Sequence, residues 1–254
     1  QLITKGTPDL RPSKAQNFDA YLSIYSNRIG LFSVGGFYKK IDDLVYEADF
    51  VLQDQSTADA FGYPNYVGIR VSAPLYLDQP THVKGVELDW QANLLWLPKP
   101  FDGLVVNANY ARIFSDTKIQ RLSARTVTEP PFYIPETTYT RYYVGVQMLD
   151  QPDHVANVSV GYDKGKFSGR VSMLYQEGNV TSYGSNEGNV AYFDTYLRWD
   201  AQLSYRLLPT LTLYTQLNNL TNRPDTALQS TARFLQEQEF YGSSVNLGLR
   251  YRPF

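Results

Sequence analysis

The sequence predicts an all-β, antiparallel fold of the membrane-barrel kind, and three observations carry that expectation. Polar and apolar residues alternate with period 2 over about nine segments of roughly ten residues, the length a tilted strand needs to cross a bilayer. The connections between the segments alternate between short and long, the arrangement of a barrel with tight turns at one rim and large loops at the other. The chain also holds 21 Tyr, 13 Phe and 3 Trp against 2 Met and no Cys, an aromatic load suited to the two interface belts of a membrane protein.

The stretch KGVELDWQANLLWLPKPFDGLVVNANYARIF, residues 84–114, shows the alternation most clearly. Glu87, Asp89, Gln91 and Asn93 interleave with Val86, Leu88, Trp90, Ala92 and Leu94, and beyond a turn at 98–103 Leu104, Val106, Ala108 and Tyr110 oppose Asn107 and Asn109. A soluble sheet half buried on a core alternates in the same way, so one strand does not choose between bulk water and a wet lumen. Earlier, Phe18, Ala20, Leu22 and Ile24 oppose Asn17, Asp19, Tyr21 and Ser23, and a second segment, 29–49, is less cleanly sided. Later segments fall at 156–163, 167–176, 197–206, 211–218 and 244–252, the sharpest setting Leu197, Trp199, Ala201, Leu203 and Tyr205 against Arg198, Asp200, Gln202, Ser204 and Arg206. No helical period competes.

Short turns are expected at 26–27, 98–103, 163–166 and 208–209, and long connections at 51–81, 116–151, 178–191 and 220–239. With the short side periplasmic, the first strand runs inward and the last also ends in the periplasm. Bacterial barrels have even strand numbers, so an odd set of this kind reads as the C-terminal part of something larger.

Composition excludes several classes. The net charge is −2 with both signs interspersed, which disfavours nucleic acid. A mean hydropathy of −0.35, with no run of apolar residues long enough to span, excludes a transmembrane helix and leaves a barrel open. The lack of Cys removes disulfides and thiolate metal sites. QLITKGTPDL has neither the basic start nor the apolar stretch of a signal peptide, so an exported protein would begin upstream. No nucleophile motif such as G-x-S-x-G is present, His82 and His154 have no companions at metal-ligand spacing, and Asp42, Asp43 and Glu47 lack a calcium-type loop. No enzyme activity, catalytic residue, metal or cofactor is expected.

Two groups of candidate site residues remain. Glu87, Asp89, Arg170, Arg198, Asp200 and Arg206 lie on the polar face and are expected to line a lumen or face a plug, since on the lipid side each would cost a few kcal/mol near the midplane. The connection at 116–151 contains EPPFYIPETTYTRYYVGVQ, in which Pro130, Pro131 and Pro135 stiffen a stretch bearing Phe132, Tyr133, Tyr139, Arg141, Tyr142 and Tyr143. Aromatic and Arg side chains anchor recognition surfaces, which makes these substrate-binding candidates on an extracellular loop. Aromatics also gather at the outer interface, and both readings stand.

Four stretches resemble the TonB-dependent receptors of the Gram-negative outer membrane, most closely those of Bacteroidetes. These are TPDLRPSKAQNFDAYLSIY (7–25), GLFSVGGFYKKIDDLVY (30–46), VKGVELDWQANL (83–94) and LNNLTNRP (217–224). The final LGLRYRPF is similar to the aromatic C-terminal signature read by the membrane-insertion machinery, with Tyr251 and Phe254 as its aromatics and Pro253 departing from the usual spacing. The resemblance implies that residues 1–254 form the C-terminal portion, about nine antiparallel strands, of a 22-stranded transmembrane β-barrel. It implies active uptake of a scarce nutrient, whether ferric chelate, cofactor, glycan or peptide. It implies as partners the outer-membrane lipid, an upstream barrel and plug segment absent from this chain, and the TonB–ExbB–ExbD complex acting through that plug. Some relatives also carry a surface lipoprotein lid. A passive outer-membrane porin or channel shares the alternation, and a soluble β-sandwich binding module would need the Trp90 and Trp199 faces buried in a protein core.

Overall fold

In the computed structural model the described residues are 2–8, 10–129, 134–183, 189–230 and 232–253. In chain order the elements are β1 (Leu2–Thr4), β2 (Lys14–Ser26), β3 (Gly30–Asp42), β4 (Val45–Val51), α1 (Gln55–Ala60), β5 (Arg70–Tyr76), β6 (Thr81–Asn93), β7 (Leu104–Glu129), β8 (Ile134–Val146), β9 (His154–Lys164), β10 (Phe167–Gln176), β11 (Asn179–Ser182), β12 (Ala191–Phe193), β13 (Tyr196–Leu208), β14 (Leu211–Asn218), β15 (Asp225–Gln229), β16 (Phe234–Glu239) and β17 (Ser244–Tyr251). No helix among the described residues is long and apolar enough to cross a membrane.

One ten-stranded sheet forms a wall in the order β17-β14-β13-β10-β9-β7-β6-β3-β2, with β8 paired to the far half of β7. Every neighbouring pair along it is antiparallel. The path strands are those the alternation predicts, and their short turns lie at one rim. At the first of these turns Gly30 takes φ +73°, and a Cβ there would sit 2.0 Å from the Gln91 carbonyl oxygen, so only glycine lets β2 reverse this close to β6. Indole donors tie the same rim together: Trp90 Nε1 donates to the Ile29 carbonyl and Trp96 Nε1 to that of Arg28, both at 2.7 Å.

The structure departs from the sequence reading in the connections. Residues 29–49 are two strands, because Asp43 adopts φ 56°, a left-handed conformation that Asp tolerates, and sends the chain off the wall after β3. The connection at 116–151 is largely strand: β7 runs 26 residues and pairs with β8 from Thr117↔Val146 to Glu129↔Ile134. The β-branched residues of this stretch, Thr126, Val127 and Thr128 in β7 and Thr137 and Thr138 in β8, are types that favour extended backbone. The connections at 178–191 and 220–239 supply a second sheet, β11-β12-β15-β16, and 51–81 supplies α1 and the central strand β5 of a third, β1-β5-β4. Asp54 caps α1, its carboxylate accepting the Thr57 N–H at 2.7 Å. That third body holds the packed core: Leu52, Ala58, Val71 and Ala73 are fully buried, with Phe50 and Phe61 against them.

Candidate functional site

Directly opposed residues of an antiparallel pair share a face, so faces can be followed across the whole wall. One row runs Ser23, Ser33, Asp89, Asn109, Asn157, Leu174, Arg198. The next runs Gln91, Asn107, Ser159, Ser172, Asp200. A third runs Gly161, Arg170, Gln202, Gln216, Asn246. Glu87 lies two residues from Asp89, and Arg206, opposite Thr212 and in line with Arg250, lies two from Ser204. All six charged candidates therefore project from one polar face. The opposite face carries the row Ile24, Phe32, Trp90, Ala108, Val158, Met173, Trp199. That row begins near the short-turn end of β6 and finishes near the long-connection end of β13, so the strands are staggered as barrel closure requires. It also sets the two tryptophans at opposite rims, where aromatic girdles belong.

The polar face is cross-linked by its own side chains. Tyr21 donates to Glu87 Oε2 at 2.8 Å, the Ser23 and Ser33 hydroxyls are 2.8 Å apart, Gln91 donates to Asp89 at 3.0 Å, and Asn157 donates to Asn109 at 2.9 Å. Asp200 is the most committed of the six. Its Oδ2 accepts from Arg198 Nε at 3.1 Å and its Oδ1 accepts the Asn219 backbone N–H at 2.8 Å. Asn219 in turn takes φ 52°, and its side-chain amide donates to the carbonyls of Arg223 and Gly242 while its Oδ1 accepts the Arg223 N–H. The LNNLTNRP stretch is thus the corner where β14 leaves the wall for β15, and Asp200 caps that corner. Arg223 completes it by donating to Asp194 Oδ2 at 2.8 Å.

At the long-connection rim two clefts adjoin. One, of about 400 Å³, is bordered by Leu174, Gln176, Asn179, Thr181, Tyr196 and Asp225. The other, of about 240 Å³, lies under Tyr46, Leu77, Ile119, Met148 and Tyr183. Asp150 borders both. Gln176 and Tyr196 are register partners on the polar face, so the larger cleft opens to the same side as the charged rows. Burial pushes the Tyr46 phenol above its ordinary value, with Asp78 adding to the rise. Sequence reasoning missed these clefts because they join residues from four connections that carry no shared pattern.

The loop candidates divide. Phe132 and Tyr133, with Pro130 and Pro131, lie outside the described residues, as does Phe254. The backbones of Tyr139, Arg141, Tyr142 and Tyr143 all lie in β8, opposite Ala124, Leu122, Arg121 and Gln120, so Tyr142 and Tyr143 point to opposite sides of the ribbon. Both are exposed, and the Tyr143 hydroxyl donates to Asp78 Oδ2 at 2.7 Å. Tyr251 is exposed on the apolar face at the end of β17, opposite Leu211. His82 and His154, on the apolar face at the long-connection rim, each sit beside a tyrosine, with Tyr38 and Tyr110 hydroxyls 2.7 and 2.6 Å from their Nδ1 atoms. The charges on the apolar face lie toward the long-connection rim: Lys40 and Lys84 stand opposite His82 and Phe114, and Arg112, which shares the face of Val86 and His154, pairs with Asp153 at 2.9 Å and stacks on Phe114. At the rim rather than the midplane their cost is small.

A staggered antiparallel wall with one apolar and one polar face, aromatic at both rims, defines a transmembrane β-barrel. Residues 1–220 match the family described as TonB dependent receptor-like, beta-barrel, and the chain belongs to that family. Among solved structures it is similar to the ferric citrate transporter FecA in its unliganded form (14% identity, TM-score 0.58, 94% of this chain and 31% of that one). It is similar also to the copper transporter OprC (10%, 0.58, 96% and 32%), and to the pyoverdine outer membrane receptor FpvA from Pseudomonas aeruginosa PAO1 bound to pyoverdine (14%, 0.58, 96% and 30%). The chain spans about a third of the length of the solved structures it matches. No curated protein matches it. As a member of that receptor-like family the chain is a component of the Gram-negative outer membrane.

Proposed function

We propose that residues 1–254 form the C-terminal part of a TonB-dependent outer-membrane transporter that captures a scarce nutrient at its outer rim and passes it through a plugged lumen. The observation that carries this reading is the open wall: among the described residues β2 and β17 each have one neighbour in the sheet, leaving two unsatisfied edges that only further strands can close. An upstream segment supplies those strands, up to the 22 of such transporters, together with the plug. On this reading Glu87, Asp89, Arg170, Arg198, Asp200 and Arg206 line the lumen wall that meets the plug, and energy arrives from TonB, ExbB and ExbD through it. Tyr139, Arg141, Tyr142 and Tyr143 of the β7–β8 ribbon, with the clefts around Asp150, provide the capture surface, and Phe132 and Tyr133 belong to the same connection. A surface lipoprotein would cover that rim. The similar structures handle cargoes as different as ferric citrate, copper and pyoverdine, which fits a shared wall and cargo choice by the connections.

Intact mass spectrometry of the polypeptide from outer membranes tests the reading. A mass several tens of kilodaltons above the 29.0 kDa of this chain is expected, with the remaining barrel and plug on the same polypeptide. A mass near that value, with no plug, would favour a passive channel completed by other chains.

A further inference from the structure

We infer that the outward face carries a binding groove for one lipid of the outer leaflet, recognised by its anionic phosphate headgroup. The starting point is a glycine with no local reason. Gly36 sits in the interior of β3 at an ordinary extended φ, where glycine weakens a strand. A Cβ built there would meet nothing nearer than the Gly85 carbonyl oxygen at 3.7 Å, an ordinary contact. Neither backbone conformation nor crowding calls for it. What its missing side chain provides is space.

That space is a groove of about 530 Å³, mostly apolar in its lining, bordered by Phe18, Ala20, Gly36, Tyr38, Lys84 and Phe114. Register explains its shape. The row Ala20, Gly36, Val86 makes a low floor, and the neighbouring row Phe18, Tyr38, Lys84, Phe114 makes a wall. Both rows belong to the apolar face. Asp19, which also borders the groove, is carried by the alternation of β2 to the opposite face. The groove lies toward the long-connection rim, where headgroups of the outer leaflet sit. Lys84 stands at its wall and makes no ion pair among the described residues, whereas nearby Lys40 is neutralised by Asp42 at 3.0 Å. An apolar trough with a free ammonium at headgroup level fits an acyl chain below and a phosphate above.

The inference rests on the barrel's place in the outer membrane and is independent of transport. The test is native mass spectrometry of the full-length protein in mild detergent, with phosphatidylglycerol and phosphatidylcholine added at equal concentration. The wild type is expected to retain one phosphatidylglycerol in preference to phosphatidylcholine by about fivefold, the worth of one lysine near an anionic surface. Lys84→Gln should erase the preference. Gly36→Leu, or Ala20→Leu should the first fail to fold, should abolish retention of both lipids. Val34→Leu, which adds bulk to the same face outside the groove, should change nothing. Heat-modifiable migration on gels verifies that each variant is folded, and uptake by these variants should match the wild type. Equal retention of both lipids by the wild type, undiminished retention in the Gly36 and Ala20 variants, or equal loss in Val34→Leu would overturn the assignment.

Discussion

The body built from β1, β4, β5 and α1 and the ten-stranded wall share a β architecture and hide their apolar groups in different places. In the small body Leu52 and Val71 are 0% exposed, closed over by Phe50 and Phe61. On the wall Phe18 and Leu247 are 66% and 74% exposed, because no protein layer covers that face. The first region carries its own interior. The second borrows the bilayer as its interior, and its strands are stable as a unit only where lipid replaces water on one side and the ring is closed. The chain therefore divides into a region governed by packing and one governed by sidedness, and substitutions should sort accordingly.

The largest effect is expected from Leu52→Ala, at about 2–5 kcal/mol for a fully buried leucine. It should be confined to the small body, seen as faster proteolysis within 45–76 while the wall keeps its heat-modifiable migration. Failure of the whole barrel to assemble would erase the distinction between the regions. Next, Leu88→Arg on the outward face should cost about 2–4 kcal/mol near the midplane and lower the yield of assembled protein, whereas Gln91→Arg on the inward face should assemble as the wild type does. Equal losses would break the sidedness. Asn219→Ala should cost about 1–3 kcal/mol through the buried donors and acceptors it strands, visible as faster amide exchange in 219–229 with little change in the β9–β10 pairing.

The smallest effect is at the short-turn rim, where Asp102 accepts from Lys164. That hydrogen bond holds the Asp102 carboxyl below its ordinary value. A lowered carboxylate pKa contributes stability above its unfolded value and loses it as pH falls through the folded one. Thermal melts of the wild type and Asp102→Asn should thus differ slightly at neutral pH and converge in acid. A difference that grows in acid would contradict the pairing.

The wall was legible in the sequence because its signal is local and repeated: each crossing strand carries period 2 over enough residues to show it, and the turns between are short. The connections were not. β11 and β12 are 4 and 3 residues long, too short for any period, and β12 joins the rest of its sheet through β15, far along the chain. Asp43, in the two-residue break between β3 and β4, turns the chain by its backbone conformation, which no polarity pattern records. Asp200 reads from the sequence as one more lumen charge, and its second role as a cap for Asn219 depends on a contact nineteen residues away. The flanks of 130–133 are rich in Thr, a strand-favouring residue, but Pro130, Pro131 and Pro135 give the stretch the composition of a loop.

The measurement that bears most directly on the account is a spin-label scan of β6 in the membrane-embedded protein, made simple by the absence of cysteine in this chain. Single cysteines at 86 through 93 would carry the label, and collision with lipid-soluble oxygen would be compared with collision with a water-soluble nickel chelate. The account predicts period 2: oxygen favoured at 86, 88, 90 and 92, and the chelate relatively favoured at 87, 89, 91 and 93. A flat profile, or chelate access at the even positions, would contradict a wall with lipid on one side and a wet lumen on the other.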